Sequence, residues 1–477
     1  MSTFGALNTA FTGLTAAQQG LTVVGNNIAN VNTEGYTRQR LATSAAPPLA
    51  TVGLFSAGTK PGNGVSVDGV TRLGDTYLDA KARTTGSAAG YTAARSSALT
   101  GIEDITGEPG TNGVSAKLQA FWTAWSGVAN QPGEAAPAAV LFGAANDVSN
   151  ALSAGYSKLE DQWGRTRGQA SDQAAQLNDA GAQVAALNAQ IRSAQASGGS
   201  ANELMDQRSI LTGTIAALAG GTVKDGGNGM VDVYVGGNAI VTGATSRKVV
   251  LSGADSLASA ATGQKVLLNW ADGSGSAVAL DGGQLAGTLS VLAPAAGGSG
   301  GAIAEAAASY DAVATAVAAT VNAAQASGST PGSPVTAGAN GQPFFSTGDP
   351  AAKSLTVLLT SAADLATGTP GAGPLDGSHA AATAASATVA GSPDSAWTSF
   401  IATLGSTSRS AQQQDAQAQA SAASAATAQT SSSSVSLDEE NVNLLAYQHA
   451  YQASARVLTA VDDMLDTLIN KTGLVGR

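Results

Sequence analysis

Apolar residues recur every seven positions near the beginning of the chain. The row consists of Leu7, Leu14, Leu21 and Ile28. Phe4 and Phe11 lie three residues before the first two members, so the pattern has the a and d spacing of a coiled-coil helix over residues 4–32. Gln18 and Gly25 interrupt the companion row. An ordinary amphipathic helix on a globular core would give the same pattern, so this segment alone leaves both readings open.

A second and longer seven-residue row lies near the end of the chain. It consists of Leu437, Leu444, Tyr451, Leu458 and Leu465. A companion row follows three residues behind, formed by Tyr447, Val461 and Leu468 with Ser454 as a polar exception. Ser436 and the carboxylates at 438–440 resemble a helix start, because a serine caps the first turn and acids face the positive end of the helix dipole. The sequence predicts a helix over 437–468.

Two heptad helices at opposite ends of one chain suggest that the two ends pair with each other. The residues between them would then form one long connection between the paired helices. The first helix carries neutral polar residues, and residues 1–33 contain no charged side chain. Neutral polar faces cost less to bury than charged ones, so we expect other protein to surround this helix in its working state. Compositional drift in a chain rich in Ala and Thr is the alternative explanation.

The middle of the chain alternates between two kinds of pattern. Helical spacing covers 77–105, 114–130, 137–197, 201–219, 301–326 and the chain from Trp397, whose portion 409–434 reads as a low-complexity helix or a solvated connector. Patterns typical of β-strands cover parts of 37–80, several short runs after 220, Val249–Leu251, Val266–Trp270, Val278–Leu280, Leu289–Leu292 and Leu355–Leu359.

These patterns predict a multidomain α+β protein with three units. The terminal unit is a coiled coil of residues 1–40 with 435–477. The second is a mainly helical, rod-like bundle of 41–220 with 300–326 and 396–434. The third is a β-rich outer domain of 221–299 with 327–395.

Composition narrows the classes of partner. The chain has 477 residues with a net charge of -11, which disfavours binding to nucleic acid and to anionic membranes. It contains no cysteine, which excludes disulfides, thiolate nucleophiles and cysteine metal sites. The first charged residue is Glu34, and the segment before it has no basic n-region, so we expect no cleavable signal peptide.

The sequence offers little for catalysis. His379 lies in a Gly- and Ala-rich loop, and His449 lies between heptad positions of the last helix. Neither suggests a Ser/His/Asp set or a metal cluster. Residues 225–229 are similar to a calcium-binding Gly/Asp repeat, but the repeat unit does not recur in the chain. A hairpin turn explains these residues better. We expect no catalytic residue, no cofactor and no metal, and hence no enzyme.

Both ends resemble one known family. The stretch Gly25–Arg38 resembles the N-terminal signature of flagellar rod, hook and hook-associated proteins. Its signature positions are Asn27, Ile28, Ala29, Asn30, Thr33, Gly35 and Tyr36. The stretches Leu437–Glu440, Tyr447–Ala453 and Leu465–Asn470 resemble the matching C-terminal end. The two matches occur at the correct ends and cover roughly the outer fifth of the chain.

Three inner stretches resemble the hook-associated branch that joins hook and filament. They are Gly35–Arg40, Ala201–Arg208 and Val231–Gly237. Larger members carry an additional outer domain where residues 327–395 of this chain are short and loop-like. The resemblance implies assembly through the terminal helices, whose proposed interface is the two rows named above: Leu7, Phe11, Leu14, Leu21, Ile28, Leu437, Leu444, Tyr447, Tyr451, Leu458, Val461, Leu465 and Leu468.

The resemblance also implies partners and a location. They are further copies of the chain in a ring, the hook subunit, a second junction protein leading to the filament, and a cytoplasmic export chaperone on the C-terminal helix. The location would be the extracellular flagellum, reached by type III export without a cleaved signal. Two alternatives remain: another axial subunit of the hook or distal rod, and, more remotely, a secreted surface protein on a coiled-coil stalk.

Overall fold

The fold is α+β and mostly helical, which confirms the predicted class. The computed structural model describes residues 3–47, 62–331 and 342–471. Its helices are α1 Thr3–Ala29, α2 Thr76–Thr106, α3 Val114–Asn130, α4 Ala135–Ala196, α5 Asn202–Ala219, α6 Leu257–Ala261, α7 Gly283–Val291, α8 Ala302–Ser327, α9 Ala351–Ser354, α10 Ser378–Ala385, α11 Pro393–Ser433 and α12 Leu437–Asp466. Its strands are β1 Gln39–Ala45, β2 Val65–Arg72, β3 Thr222–Gly227, β4 Met230–Val235, β5 Asn238–Thr242, β6 Thr245–Ser246, β7 Val249–Gly253, β8 Val266–Trp270, β9 Phe345–Ser346 and β10 Thr356–Val357.

Helix α4 is the spine of the helical body. It is 62 residues long, and its buried side chains recur at helical spacing along the whole length. At its N-terminal end it packs on α3, where Phe121, Trp125 and Phe344 form edge-to-face and tilted ring contacts. Apolar burial and ring geometry therefore hold one continuous core along this helix.

Helix α11 lies along α2 and completes the body. Trp397 is fully buried beside Tyr310, with ring centroids 4.9 Å apart. Farther along, the buried positions of α11 are small, including Ser408, Ala411 and Ala425. Small side chains let the two helices approach closely, so the segment 409–433 is helical rather than a solvated connector.

The sheets are small and antiparallel. Strands β3 to β6 form one sheet in sequence order, and its apolar face covers the C-terminal half of α4. Asn228 and Gly229 join β3 to β4 with φ values of 51° and 73°, which is the backbone of a tight hairpin. The hairpin turn predicted for 225–229 is confirmed.

Three strand predictions were wrong in whole or in part. Residues 289–292 belong to the end of α7, not to a strand. Gly287 lets α7 lie against α2, where an added Cβ would be 2.5 Å from the carbonyl oxygen of Tyr91. That tertiary contact selects a helix for a run of apolar residues too short to distinguish by pattern. Residues 278–280 form no strand, and the strand predicted at 355–359 shrinks to β10.

The hairpin of β1 and β2 connects the body to the terminal helices. Its strands pair from Gln39 with Arg72 to Ala45 with Val65. The backbone N–H of Val65 donates to Thr12 Oγ1 at 3.3 Å, so the hairpin lies against α1. Helix α1 is thus held on one side by the hairpin and on another by α12.

Candidate functional site

The first and last helices pack against each other, as the heptad patterns predict, and the structure shows that the pair is antiparallel. Asn27 of α1 hydrogen-bonds to Glu440 of α12 at 3.1 Å. Seven residues earlier in α1, Gly20 lies against Tyr447. Seven residues earlier again, Gly13 lies against Ser454. Positions fall by seven along α1 while they rise by seven along α12, which is the register of an antiparallel heptad seam.

Glycine permits this close approach. A Cβ added at Gly20 would lie 2.4 Å from Cε1 of Tyr447, and one at Gly13 would lie 3.1 Å from Ser454 Oγ. Gly25 differs, because a Cβ there would meet nothing within 4 Å. The two seam glycines therefore place the helices in contact, while Gly25 faces outward.

The structure places the predicted interface residues at different depths. Val461 is buried with 5% of its surface exposed, whereas Phe11 is 59% exposed. Half-buried positions are Leu7, Leu14, Leu21, Ile28, Leu444, Tyr447, Leu458 and Leu465, and exposed positions are Leu437, Tyr451 and Leu468. The fully buried face of α1 consists of smaller residues: Ala10, Ala16, Ala17, Gly20, Val23, Val24 and Asn27.

Large apolar side chains are exposed mainly on this pair. Of the 18 exposed large apolar residues in the described chain, ten belong to α1, α12 or the turn after α12. They are Phe4, Phe11, Leu437, Val442, Leu445, Tyr451, Val457, Met464, Leu468 and Ile469. Concentrated exposed apolar surface is typical of an interaction site.

Asn27 is the centre of a polar cluster at the root of the pair. Its side chain is 1% exposed. Its Nδ2 donates to the carbonyl oxygen of Gln39 at 2.9 Å and to Glu440. Its Oδ1 accepts from Tyr36 Oη at 2.9 Å and from the backbone N–H of Gln39 at 3.0 Å. All the hydrogen-bonding capacity of this amide is used, so the burial carries no unsatisfied group.

Arg38 fixes the start of α12. Its Nε donates to Glu440 Oε1 at 2.7 Å, and its Nη1 pairs with Glu439. Its backbone N–H donates to the carbonyl oxygen of Ser433 at 2.9 Å. Burial alone would lower the pKa of Arg38, but the bonds to the two glutamates outweigh this and raise the pKa above its usual value. Ser436 caps α12 by accepting from the N–H of Glu439, which confirms the predicted helix start.

Helix α5 supplies the body side of the cluster. Asp206 Oδ2 accepts from the backbone N–H of Thr37 at 3.1 Å. Arg72 Nη2 lies 2.6 Å from Asp206 Oδ1, an ion-pair distance whose angle does not suit a hydrogen bond. Gln39 Nε2 donates to Glu203 Oε1 at 3.1 Å, and Asn202 Nδ2 donates to Gln39 Oε1 at 3.2 Å.

Three stretches chosen separately in the sequence therefore meet at one place: the N-terminal signature, the start of α5 and the start of α12. We call the nine residues of this meeting point the root cluster. They are Asn27, Tyr36, Thr37, Arg38, Gln39, Arg72, Asn202, Asp206 and Glu440. Burial, with the nearby carboxylates of Glu203, Asp206 and Glu440, raises the pKa of Tyr36 to about 12.

The remaining signature residues shape the loop that leaves α1. Thr33 Oγ1 donates to Asn30 Oδ1 at 3.1 Å, and Asn30 Nδ2 donates back to the carbonyl oxygen of Asn26 at 3.0 Å. Gly35 has a φ of 75°, a left-handed conformation that favours glycine. Ala29 lies exposed at the end of α1.

Sequence reasoning missed several members of the root cluster. Arg72 carried no pattern of its own, while Gln39 and Asn202 were recognised only as parts of the stretches Gly35–Arg40 and Ala201–Arg208, with no partner assigned to either. Glu440 was assigned to the helix start and to the family stretch Leu437–Glu440 but to no partner, whereas the structure buries it to 1% exposure against Asn27 and Arg38. The available signal was the row Gly13, Gly20, Asn27, which repeats at seven residues in small and polar side chains rather than in leucines.

A cleft of about 530 Å³ opens beside the root cluster. Its walls are the signature loop, the first turns of α2, the middle of α5 and the end of α11. Over the part of the chain that the structure describes, no group of three or more His, Asp or Glu side chains could hold a metal ion. Within the same residues, no helix is both long and apolar enough to cross a membrane.

Comparison with known families agrees with this geometry. The family described as flagellar hook-associated protein FlgK helical domain matches residues 99–345, which is more than half of the chain. The chain belongs to this family. Two further descriptions match the ends: flagella basal body rod protein over residues 7–37, and flagellar basal body rod FlgEFG protein C-terminal over 429–471. The family resemblance drawn from the two ends and from the inner stretches is confirmed.

Individual FlgK-type proteins are similar over part of their length. Flagellar hook-associated protein 1 of Bacillus subtilis is 29% identical over 234 residues, which cover 48% of this chain and 46% of that protein. The protein of the same name from Salmonella typhimurium is 31% identical over 247 residues, covering 51% and 43%. The matched region thus spans less than half the length of these relatives. The solved structure of the flagellar hook junction protein FlgK from Burkholderia pseudomallei matches with a TM-score of 0.44 at 23% identity, covering 57% of this chain and 47% of that one.

Proposed function

We propose that this protein is a structural subunit of the bacterial flagellum that forms part of the junction between hook and filament. The observation that carries the proposal is the match of residues 99–345 to the helical domain of hook-associated proteins, since this block lies outside the ends shared with rod proteins. The protein acts by binding and positioning other subunits, without catalysis. Its place is outside the cell, in the axial structure.

The terminal helix pair is the proposed assembly element. Its inner seam is closed by small residues, while its large apolar residues, such as Phe11 and Leu445, stay exposed in the single chain. Each such side chain contributes about 1.5–3 kcal/mol when it is fully buried. Contact with the terminal pairs of neighbouring copies in a ring would bury these side chains. It would also bury the surface of α1, which costs little because that helix carries no charge.

Further partners follow from the proposed position. They are the hook subunit on one side, a second junction protein on the filament side, and an export chaperone that shields α12 in the cytoplasm before type III export. A chaperone would be needed because α12 and the turn after it expose eight large apolar side chains.

We retain the proposed division into units 1–40 with 435–477, 41–220 with 300–326 and 396–434, and 221–299 with 327–395. Residues 332–341 of the last unit lie outside the described residues.

Deletion of the gene tests the proposal. We expect cells with hooks but without filaments, and with flagellin in the medium, and we expect the wild-type gene to restore filaments. Immunogold labelling should place the protein at the distal end of the hook. Label along the rod or hook shaft would instead support the alternative of a rod or hook subunit, which the two end matches keep open.

A further inference from the structure

The root cluster lies where the terminal helix pair joins the helical body. The chain passes through this joint twice: from α1 to α2 by way of the signature loop and the β1–β2 hairpin, and between α11 and α12. The second connection is short, because α11 ends at Ser433 and α12 begins at Leu437. Such a short connection limits how far the pair can move, but it does not by itself fix its direction.

Polar bonds cross the joint. Arg38, directly before β1, links the signature loop to the end of α11 through Ser433 and to the start of α12 through Glu440. Asp206 links α5 to the signature loop through the N–H of Thr37. Gln39 links β1 to Glu203 of α5. Hydrogen bonds are directional, so a connected set of them fixes an orientation more sharply than apolar contact does.

We infer that the root cluster is an orientation lock, which fixes the angle at which the terminal pair leaves the body. Asn27 is the positioning residue of the lock, because its one side chain bonds both to α12 and to β1. The neighbouring cleft supplies the space into which the pair can turn when the lock is broken. Each bond is individually modest. Asn27 holds the backbone of Gln39, whose side chain bonds to Glu203 and Asn202 of α5, so loss of the Asn27 amide loosens this connection between α12 and α5.

The lock is separate from the seam that pairs the two helices. Gly20 and Gly13 contact α12 one and two heptads away from Asn27. Breaking the cluster therefore leaves most of the seam intact, and the pair moves as one body. The consequence for the flagellum rests on the proposed function: copies whose terminal pairs point in different directions do not close a ring. The orientation itself is a property of the free chain.

Spin labels on the full chain test the lock. The chain has no cysteine, so Gln413→Cys on α11 and Gln452→Cys on α12, both exposed, give one labelled pair. We expect a single narrow distance distribution by electron–electron double resonance. Asn27→Asp removes the amide donor and sets a second carboxylate against Glu440, so it should broaden the distribution at least twofold. Asn26→Asp makes the same change at the exposed neighbouring residue and should leave it narrow.

Two additions separate the lock from other roles. Asp206→Asn weakens the body side of the cluster without touching the seam, and it should also broaden the distribution. Labels at Thr22→Cys and Gln448→Cys report the pairing of α1 with α12 and should stay narrow in every variant. The lock is refuted if Asn27→Asp and Asp206→Asn both leave the first pair narrow, or if the second pair broadens as well. A wild-type gene that fails to restore filaments would count against the junction proposal and not against the lock.

Discussion

At the scale of single residues, the close contact between α1 and α12 depends on two positions of α1 that have no side chain. Gly20 and Gly13 carry no side chain where Tyr447 and Ser454 approach. A glycine within a helix costs about 1 kcal/mol relative to alanine, so close helix contact must offset this cost. The leucine rows that dominate the sequence pattern flank the contact instead of forming its centre.

Gly20→Val and Gly25→Val separate packing from helix propensity. Both replace an α1 glycine with the same residue, so the propensity change is the same. Gly20→Val places a side chain into the ring of Tyr447, and we expect it to destabilise the terminal pair by about 1–3 kcal/mol more than Gly25→Val does. Hydrogen exchange of α1 and α12 peptides measures this difference. Equal protection in the two variants would show that the seam is not closely packed at Gly20.

The buried polar residues show why sequence alone could not provide the root cluster. Asn27 and Glu440 are 413 positions apart, and their contact exists only because α1 and α12 pair in one register. Heptad spacing predicts the pairing of the helices but not which polar residues face each other. Arg72 ends strand β2, and nothing in the sequence of that strand identifies its partner, Asp206, on α5.

At the scale of elements, the long helices were predictable because their apolar spacing extends over many turns. The start and end predicted for α4 lie within two residues of Ala135–Ala196. Short apolar runs were not predictable in this way. Residues 289–292 became helical because Gly287 allows α7 to pack on α2, and a four-residue run contains no period that could reveal this.

Helix α12 carries the element-scale prediction for assembly. Leu444 is half-buried in the single chain and belongs to the proposed interface. Leu444→Asp should leave the helical body folded, because the body core does not include it, yet it should abolish motility in a complemented deletion strain. Gln448→Asp introduces the same charge on an exposed polar position four residues later and should remain motile. A motile Leu444→Asp strain would contradict the role of this row.

At the scale of the whole molecule, a single arrangement explains the chain order. The termini pair at one end, the root cluster connects them to a body built on α4, and the small sheets lie on that body. The fold class and the pairing of the ends were predictable from sequence. The position of the sheets along α4 was not, because it depends on contacts between segments distant in sequence.

The central claim is that the two terminal helices remain paired along their glycine seam in the assembled flagellum. An engineered disulfide between Gly13→Cys and Ser454→Cys tests it most directly, because a Cβ at position 13 lies 3.1 Å from Ser454 Oγ and the chain has no other cysteine. Gly25→Cys with Ser454→Cys is the control pair. We predict that oxidation of intact flagella forms the bond within one chain for the first pair only. Cysteines that remain reduced in both pairs, or that react equally in both, would contradict the account.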